Sequence, residues 1–215
     1  LPLKVNEIFY SIQGESSYAG CPCVFVRLTG CNLRCSYCDT SYAYEEGIWM
    51  DCGEILGRVR PFDCRLVEVT GGEPLLQEET PLLIDRLLDR GHTVLMETNG
   101  SLDIRLVDQR CIRILDVKCP SSGEADKNNL DNLRYLGVHD EIKFVLGDRG
   151  DYDYARTILS SFSGRFPCTA RPLFAPVYGR LAPAALAAWI LEDHLDVRLQ
   201  VQLHKIIWGH EKRGV

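Results

Sequence analysis

Short β-branched runs that alternate with stretches of helical spacing restrict the fold of this chain more than any other feature. Runs with the length and composition of strands lie at Val24 to Leu28, Leu66 to Thr70, Thr93 to Thr98, Ile112 to Val117, Glu141 to Leu146, Leu173 to Val177 and Val197 to Leu203. Between them, Gly53 to Val59, Thr80 to Arg90, Asn128 to Leu136, Tyr152 to Ser161 and Ala182 to Glu192 carry helical spacing, and in the last of these Leu186, Trp189 and Ile190 share a face. A strand, a helix and a further strand connect by a right-handed crossover, which builds a parallel sheet, either open or curled into a barrel. An additional strand near Val5 to Phe9 is expected to flank it. No repeat, low-complexity stretch or linker divides the sequence, so residues 1–215 are expected to form one domain. In α/β folds of this kind the chemistry gathers at the carboxyl ends of the strands.

Charge narrows the classes of partner. With 24 Lys and Arg against 30 Asp and Glu, the formal net charge is -6, which argues against a broad phosphate-binding surface and against nucleic acid as a partner. No apolar run reaches the length of a membrane span, and Leu1-Pro2-Leu3-Lys4 lacks the basic then apolar pattern of a signal peptide, so a cytoplasmic protein without a membrane partner is expected. In a reducing compartment the ten cysteines read as buried thiols or metal ligands rather than disulfides.

Three of them stand together in Cys31-Asn32-Leu33-Arg34-Cys35-Ser36-Tyr37-Cys38, just after a strand and therefore in a loop at its carboxyl end. Three thiolates from one short loop can hold three corners of a four-iron four-sulfur cluster and leave the fourth iron open. The competing reading is a zinc knuckle completed by Cys21 or Cys23, which would make the chain a zinc-binding interaction module. No second C-x-x-C or H-x-x-x-H follows downstream. Thr70-Gly71-Gly72-Glu73-Pro74 closes the next strand, where paired glycines let backbone approach a ligand and free N–H and C=O groups can grip a zwitterion. Alone, a double glycine is usually only a turn. Glu97-Thr98-Asn99-Gly100 and Asp116-Val117-Lys118-Cys119-Pro120-Ser121 close the two strands after it. Thr40 offers a hydroxyl, a weak oxygen ligand for a hard cation.

The C-x-x-x-C-x-x-C spacing with an aromatic before its last cysteine resembles the radical S-adenosylmethionine superfamily. That resemblance implies a 4Fe-4S cluster on Cys31, Cys35 and Cys38, with S-adenosylmethionine chelating the open iron and cleaved by one electron from a reductant such as flavodoxin or ferredoxin. It implies cosubstrate contacts at Tyr37, Gly71, Gly72, Glu73, Thr98, Lys118, Ser121 and Gln202. The strand count falls short of a closed eight-stranded barrel, so a partial TIM-type barrel is expected, with helices outside and strand edges exposed. Exposed edges make a homodimer a sensible expectation.

Glu7-Ile8-Phe9-Tyr10-Ser11-Ile12-Gln13-Gly14-Glu15, Gly30-Cys31-Asn32-Leu33, Cys38-Asp39-Thr40, Thr70 to Gln77 and Gln202-Leu203-His204-Lys205 narrow the likeness. Across essentially the whole chain these resemble the 7-carboxy-7-deazaguanine synthases of queuosine and deazapurine biosynthesis. The implied reaction is a radical ring contraction of 6-carboxy-5,6,7,8-tetrahydropterin with loss of ammonia, a carbon–nitrogen lyase reaction. The implied substrate contacts are Ile12, Gln13, Gly14, Glu15, Arg27, Thr70 and His204, with Arg27 forking onto the carboxylate and His204 closing the site from the end of the last strand. Read singly, Arg27 is as well explained by an ordinary ion pair, and His204 by a structural hydrogen bond. By the same resemblance Thr40 is the protein ligand of a Mg2+ ion that also binds the substrate. The tail from Trp208 to Val215 is assigned no substrate contact. A glycyl-radical activating enzyme would share the cysteine loop but would need a groove for a partner backbone.

Overall fold

The computed structural model describes residues 1–162, 171–209 and 212–215. Among the described residues nine strands form one open sheet: β1 (Leu3–Ile12), β2 (Pro22–Leu28), β3 (Ile48–Met50), β4 (Leu66–Gly71), β5 (Thr93–Thr98), β6 (Ile112–Val117), β7 (Glu141–Leu146), β8 (Leu173–Pro176) and β9 (Arg198–Leu199). Their order is β3-β1-β2-β4-β5-β6-β7-β8-β9. From β2 to β9 every pairing is parallel, and β1 runs antiparallel to both β2 and β3. The expected α/β architecture of parallel strands that stop short of a closed barrel is therefore present. The N-terminal strand is longer than expected and is not the edge, because Ile48–Met50 pairs outside it.

Five α-helices are described: α1 (Cys52–Val59), α2 (Thr80–Leu88), α3 (Arg149–Ser161), α4 (Pro183–Glu192) and α5 (Leu203–Trp208). Local chemistry sets their starts. Asp51 and Glu54 form a reciprocal capping box at α1, and the Asp148 side chain accepts from the Asp151 N–H at α3. Proline stands in the first turn of α2 and α4, where its missing N–H costs nothing.

Two expected elements differ. Asn128 to Leu136 is not an α-helix: it holds one 3-10 segment, Leu130–Arg134, and follows another, Ala125–Lys127. Asparagine side chains there bind backbone elsewhere. Asn128 takes the Lys118 N–H at 2.9 Å and gives to the Lys118 carbonyl at 2.8 Å, and Asn132 gives to the carbonyls of Gly100 and Leu102. Such bonds compete with helix formation. Val197 to Leu203 yields only the two-residue β9, because after the Gln200 N–H reaches the Phe174 carbonyl the chain leaves the sheet and starts α5 at Leu203.

The two faces of the sheet have different chemistry. Val24, Val26, Val67, Val69, Val94, Met96, Leu115, Val117, Ile142 and Phe144 point to one side, where they join Leu83, Leu87, Tyr152 and Leu186 of the helices in the main core. In α4, Leu186 is buried while Trp189 and Ile190 pack against that core, as their shared face requires. The opposite face is apolar only at its amino end, where Cys23, Phe25, Leu66, Leu95, Ile112 and Ile114 form a small second core. Toward the carboxyl ends the same face carries Arg27, Glu68, Thr70, Glu97, Asp116 and Lys143, which line a cavity. No described helix is long and apolar enough to cross a membrane.

Candidate active site

The cavity, of about 480 Å³, has a size ordinary for a small-molecule site. Its upper wall is the cysteine loop that leaves β2 through Thr29 and Gly30. Ser36 pins that loop, donating its N–H to the Ser122 carbonyl at 2.9 Å and its hydroxyl to the Ser121 carbonyl at 2.8 Å. Arg34 lies 4.2 Å over the Tyr44 ring, and its N–H reaches Glu124 at 2.7 Å. Cys31, Cys35 and Cys38 all face the cavity.

These thiols suit a cluster. The loop brings three thiols to one cavity, whereas a zinc knuckle needs four donors converging on one ion. A cubane places each thiolate on a different iron and needs no such convergence. Donors already point at one sulfur: the Leu33 N–H lies 3.4 Å from Cys31 Sγ and Asn99 Nδ2 3.8 Å from it. Burial raises the Cys31 thiol and pushes Cys35 up to about 11, with the Lys118 ammonium pulling the other way in each. Beside the thiols, Asp116 accepts from Lys118 at 2.8 Å through Oδ2 while its buried Oδ1 has no partner among the described residues, which suits a donor-bearing cosubstrate.

The glycine pair also has a packing job. A Cβ on Gly71 would overlap the Leu28 carbonyl oxygen, and one on Gly72 would overlap the Gly30 carbonyl and lie 2.8 Å from Cys31 Cβ. Their missing side chains let β4 press against the base of the cysteine loop, where the Gly72 and Glu73 N–H groups donate to Leu28 and Gly30 at 3.2 and 2.7 Å. Both glycines still line the cavity. Glu73 does not. Fully buried, it accepts from the Leu75 N–H, the Thr98 hydroxyl and the Asn99 N–H at 3.0, 2.9 and 2.7 Å, and so locks the ends of β4 and β5 together. Burial raises its carboxyl, and these three bonds pull it back down. Ser121 is likewise off the cavity wall, its hydroxyl and N–H both given to Asp151.

The remaining expected cosubstrate positions, Tyr37, Thr98, Lys118 and Gln202, line the cavity, as does Thr40, whose hydroxyl lies 3.7 Å from Cys38 Sγ. Of the expected substrate positions, Ile12, Gly14, Glu15, Arg27, Thr70 and His204 line it too. Gln13 is turned inward, donating through Nε2 to Glu68 and accepting the Glu15 N–H at 3.0 Å. Arg27 makes the ordinary ion pair, Nε to Glu7 at 2.8 Å, while still facing the cavity. His204 sits in the first turn of α5 and not on a strand. It fits there because Gly14 has no side chain: a Cβ would overlap His204 Nδ1. The Leu203 N–H donates to the Gly14 carbonyl at 2.9 Å, and Lys205 pairs with Asp39 at 2.5 Å. Val215 also reaches the cavity wall, so the tail is not remote from the site.

Lys143 is the residue that sequence reading missed. Only 4% exposed on β7, it pairs with both Glu15 and Glu97. Burial alone would raise the Glu15 carboxyl, but the adjacent Lys143 ammonium, assisted by His204, holds it at about 2. Burial lowers His204 below its usual range, against the opposing pull of Glu15 and Asp39. The signal was present: Lys143, Glu97, Glu68 and Asp116 each interrupt an apolar strand, where unpaired charge is almost never buried.

The Radical SAM superfamily model matches residues 25–117. A 7-carboxy-7-deazaguanine synthase from Chlorobaculum tepidum is 48% identical over 218 residues, covering 100% of this chain and 98% of that protein. One from Koribacter versatilis is 46% identical over 226 residues, covering 99% and 100%. The crystal structure of QueE from Escherichia coli shares the fold, with a TM-score of 0.79 at 22% identity over 94% of this chain and 95% of that one. With relatives of this identity matched from end to end, the chain belongs to the 7-carboxy-7-deazaguanine synthase family of the radical SAM superfamily, whose members carry a 4Fe-4S cluster and use S-adenosylmethionine.

Proposed function

We propose that this chain, as one domain over residues 1–215, converts 6-carboxy-5,6,7,8-tetrahydropterin to 7-carboxy-7-deazaguanine with loss of ammonia, in queuosine or deazapurine biosynthesis. The observation that carries the reading is one cavity lined both by three cluster-type thiols and by the polar group Glu15, Lys143, Glu97 and His204. When bound at Cys31, Cys35 and Cys38, the cluster with S-adenosylmethionine supplies one-electron chemistry that removes a hydrogen atom from the substrate.

The chain's own residues bind and orient. Glu15, ionised beside Lys143, accepts from the donor-rich edge of the pterin. Arg27 keeps its charge through burial against Glu7 and Tyr42 and offers its remaining N–H groups to the substrate carboxylate. His204, neutral at physiological pH, can donate or accept on the opposite wall. Thr40 would supply one oxygen to a Mg2+ ion, whose coordination substrate and water would complete. Tyr37, Thr98, Lys118 and Gln202 serve the cosubstrate side of the same cavity. Flavodoxin or ferredoxin serves as reductant, the protein works in the cytoplasm, and the open sheet edges favour a homodimer.

Anaerobic reconstitution with iron and sulfide, then incubation with the carboxytetrahydropterin, S-adenosylmethionine, Mg2+ and a reductant, is expected to yield the deazaguanine acid and ammonia. Formation of 5'-deoxyadenosine without any deazapurine overturns the substrate while leaving the superfamily chemistry in place. Omitting Mg2+ or replacing Thr40 with Ala tests the metal separately.

A further inference from the structure

Glu68 lies on β4 at the floor of the cavity, 3% exposed, in the otherwise apolar run Leu66-Val67-Glu68-Val69. Its Oε2 accepts from Gln13 Nε2, and Gln13 Oε1 accepts the backbone N–H of Glu15 at 3.0 Å. The two bonds run in series from a strand of the sheet to the carboxylate-bearing residue that faces the cavity. An amide has one donating and one accepting end, so the acid that holds Nε2 decides that Oε1 meets the Glu15 N–H. The backbone of Gln13 is fixed independently, its N–H on the Cys21 carbonyl and its carbonyl on the Gly20 N–H, both at 2.8 Å.

We propose that Glu68 is a positioning residue for the substrate site, setting the place of Glu15 through the Gln13 amide. This rests on the reading of Glu15 as a substrate contact.

A charge count around the cavity floor gives the same role. One ammonium, Lys143, serves Glu15 and Glu97, and Glu68 makes no ion pair with it. The groups facing Glu68 are Gln13 and Glu15 from the loop after β1, Glu97 from β5, Lys143 from β7 and the Cys23 thiol from β2. Burial first, and then the Glu97 and Glu15 carboxylates, push Glu68 up to about 8. Near neutral pH it is thus a neutral acid, and Lys143 is left to its two partners. Ionising it adds a third carboxylate that repels Glu15 and competes for the ammonium.

The test compares wild type, Glu68→Gln and Glu68→Val as reconstituted enzyme, with iron content and S-adenosylmethionine affinity measured for each to certify the site. Removing the acceptor strands a buried amide, so Glu68→Val is expected to raise KM for the carboxytetrahydropterin on the order of tenfold, with kcat little changed. Glu68→Gln keeps an acceptor and no charge, so its KM is expected to match wild type near neutral pH. As pH rises through about 8, the wild-type KM is expected to climb and that of Glu68→Gln to stay flat. A purely structural role would not separate the two pH curves. Unchanged KM in Glu68→Val, or a Glu68→Gln curve that follows wild type, overturns the proposal. If Glu68→Val does not fold, the Glu68→Gln curve decides alone. If wild type makes no deazapurine, the functional reading has failed, and amide exchange at Glu15 then decides: Glu68→Val is expected to speed it on the order of tenfold, and an unchanged rate overturns the positioning role.

Discussion

Lys143 donates to Glu97 at 2.6 Å, and the same ammonium pairs with Glu15. One buried charge on β7 therefore ties the end of β5 to the loop after β1, across the cavity face of the sheet. Replacing Lys143 with Met leaves those part-buried carboxylates without a counter-charge, a loss of about 2–3 kcal/mol once partial exposure to solvent is allowed for. Denaturant unfolding of Lys143→Met is expected to show it, and adding Glu97→Gln is expected to recover part of it by removing one of the stranded charges. A midpoint equal to wild type in the single variant would mean that the ammonium does not compensate them.

Gly72 tests the seat of the cysteine loop. Its Cβ would occupy the space of the Gly30 carbonyl and lie 2.8 Å from Cys31 Cβ, both parts of backbone or a fixed side chain rather than a yielding tip. Gly72→Ala is expected to displace the first cluster cysteine and lower the iron bound per chain after reconstitution to under about half of wild type, with a stability loss of about 2 kcal/mol or more. Gly57→Ala, where the added carbon meets nothing within 4 Å, is the control and is expected to keep full iron.

The parallel sheet was legible because period and length agree in its strands, and the cysteine loop because its spacing is a chemical requirement in itself. What the sequence concealed was long-range. Asn128 and Asn132 sit in a helical pattern, but their partners, Lys118, Gly100 and Leu102, are ten or more residues away. Gln13 and Glu73 have the residue types of ligand contacts, yet each is consumed by bonds to distant segments, at Glu68 and at Thr98 and Asn99. His204 followed an apolar run that looks like a strand, and the room for its ring comes from the distant Gly14, which has no side chain. Lys143 could have been found by asking why a lysine interrupts Ile142 and Phe144.

Gly14 and His204 form a size constraint that is open to direct test. Because a Cβ on Gly14 would overlap His204 Nδ1 and lie 2.9 Å from its Cγ, Gly14→Ala is expected to push the imidazole off the cavity wall. The expected result is a rise in KM for the pterin on the order of tenfold, matched by His204→Ala, with no further loss when both changes are combined. Additive losses would show that Gly14 acts through the backbone N–H of residue 204, also 2.9 Å from the added carbon, rather than through the imidazole.

Glu15 gives the pH prediction. Its carboxyl is held at about 2, from an ordinary value of 4.5, because the Lys143 ammonium outweighs burial. A depressed acid contributes stability that is present above its unfolded value and lost as pH falls toward the folded one. Its contribution is therefore complete above about pH 4.5 and declines between there and about pH 2, reaching at most about 3 kcal/mol. Glu15→Gln removes the titrating group, so the stability gap between wild type and this variant is expected to narrow as pH falls through that window and to stay constant above it. Urea unfolding of cluster-free wild type and variant at several pH values measures the gap without interference from acid loss of the cluster. A gap independent of pH across the window would mean that Glu15 is not held ionised by Lys143, and the charge arrangement on the cavity floor would have to be redrawn with the proton on Glu15 instead of Glu68.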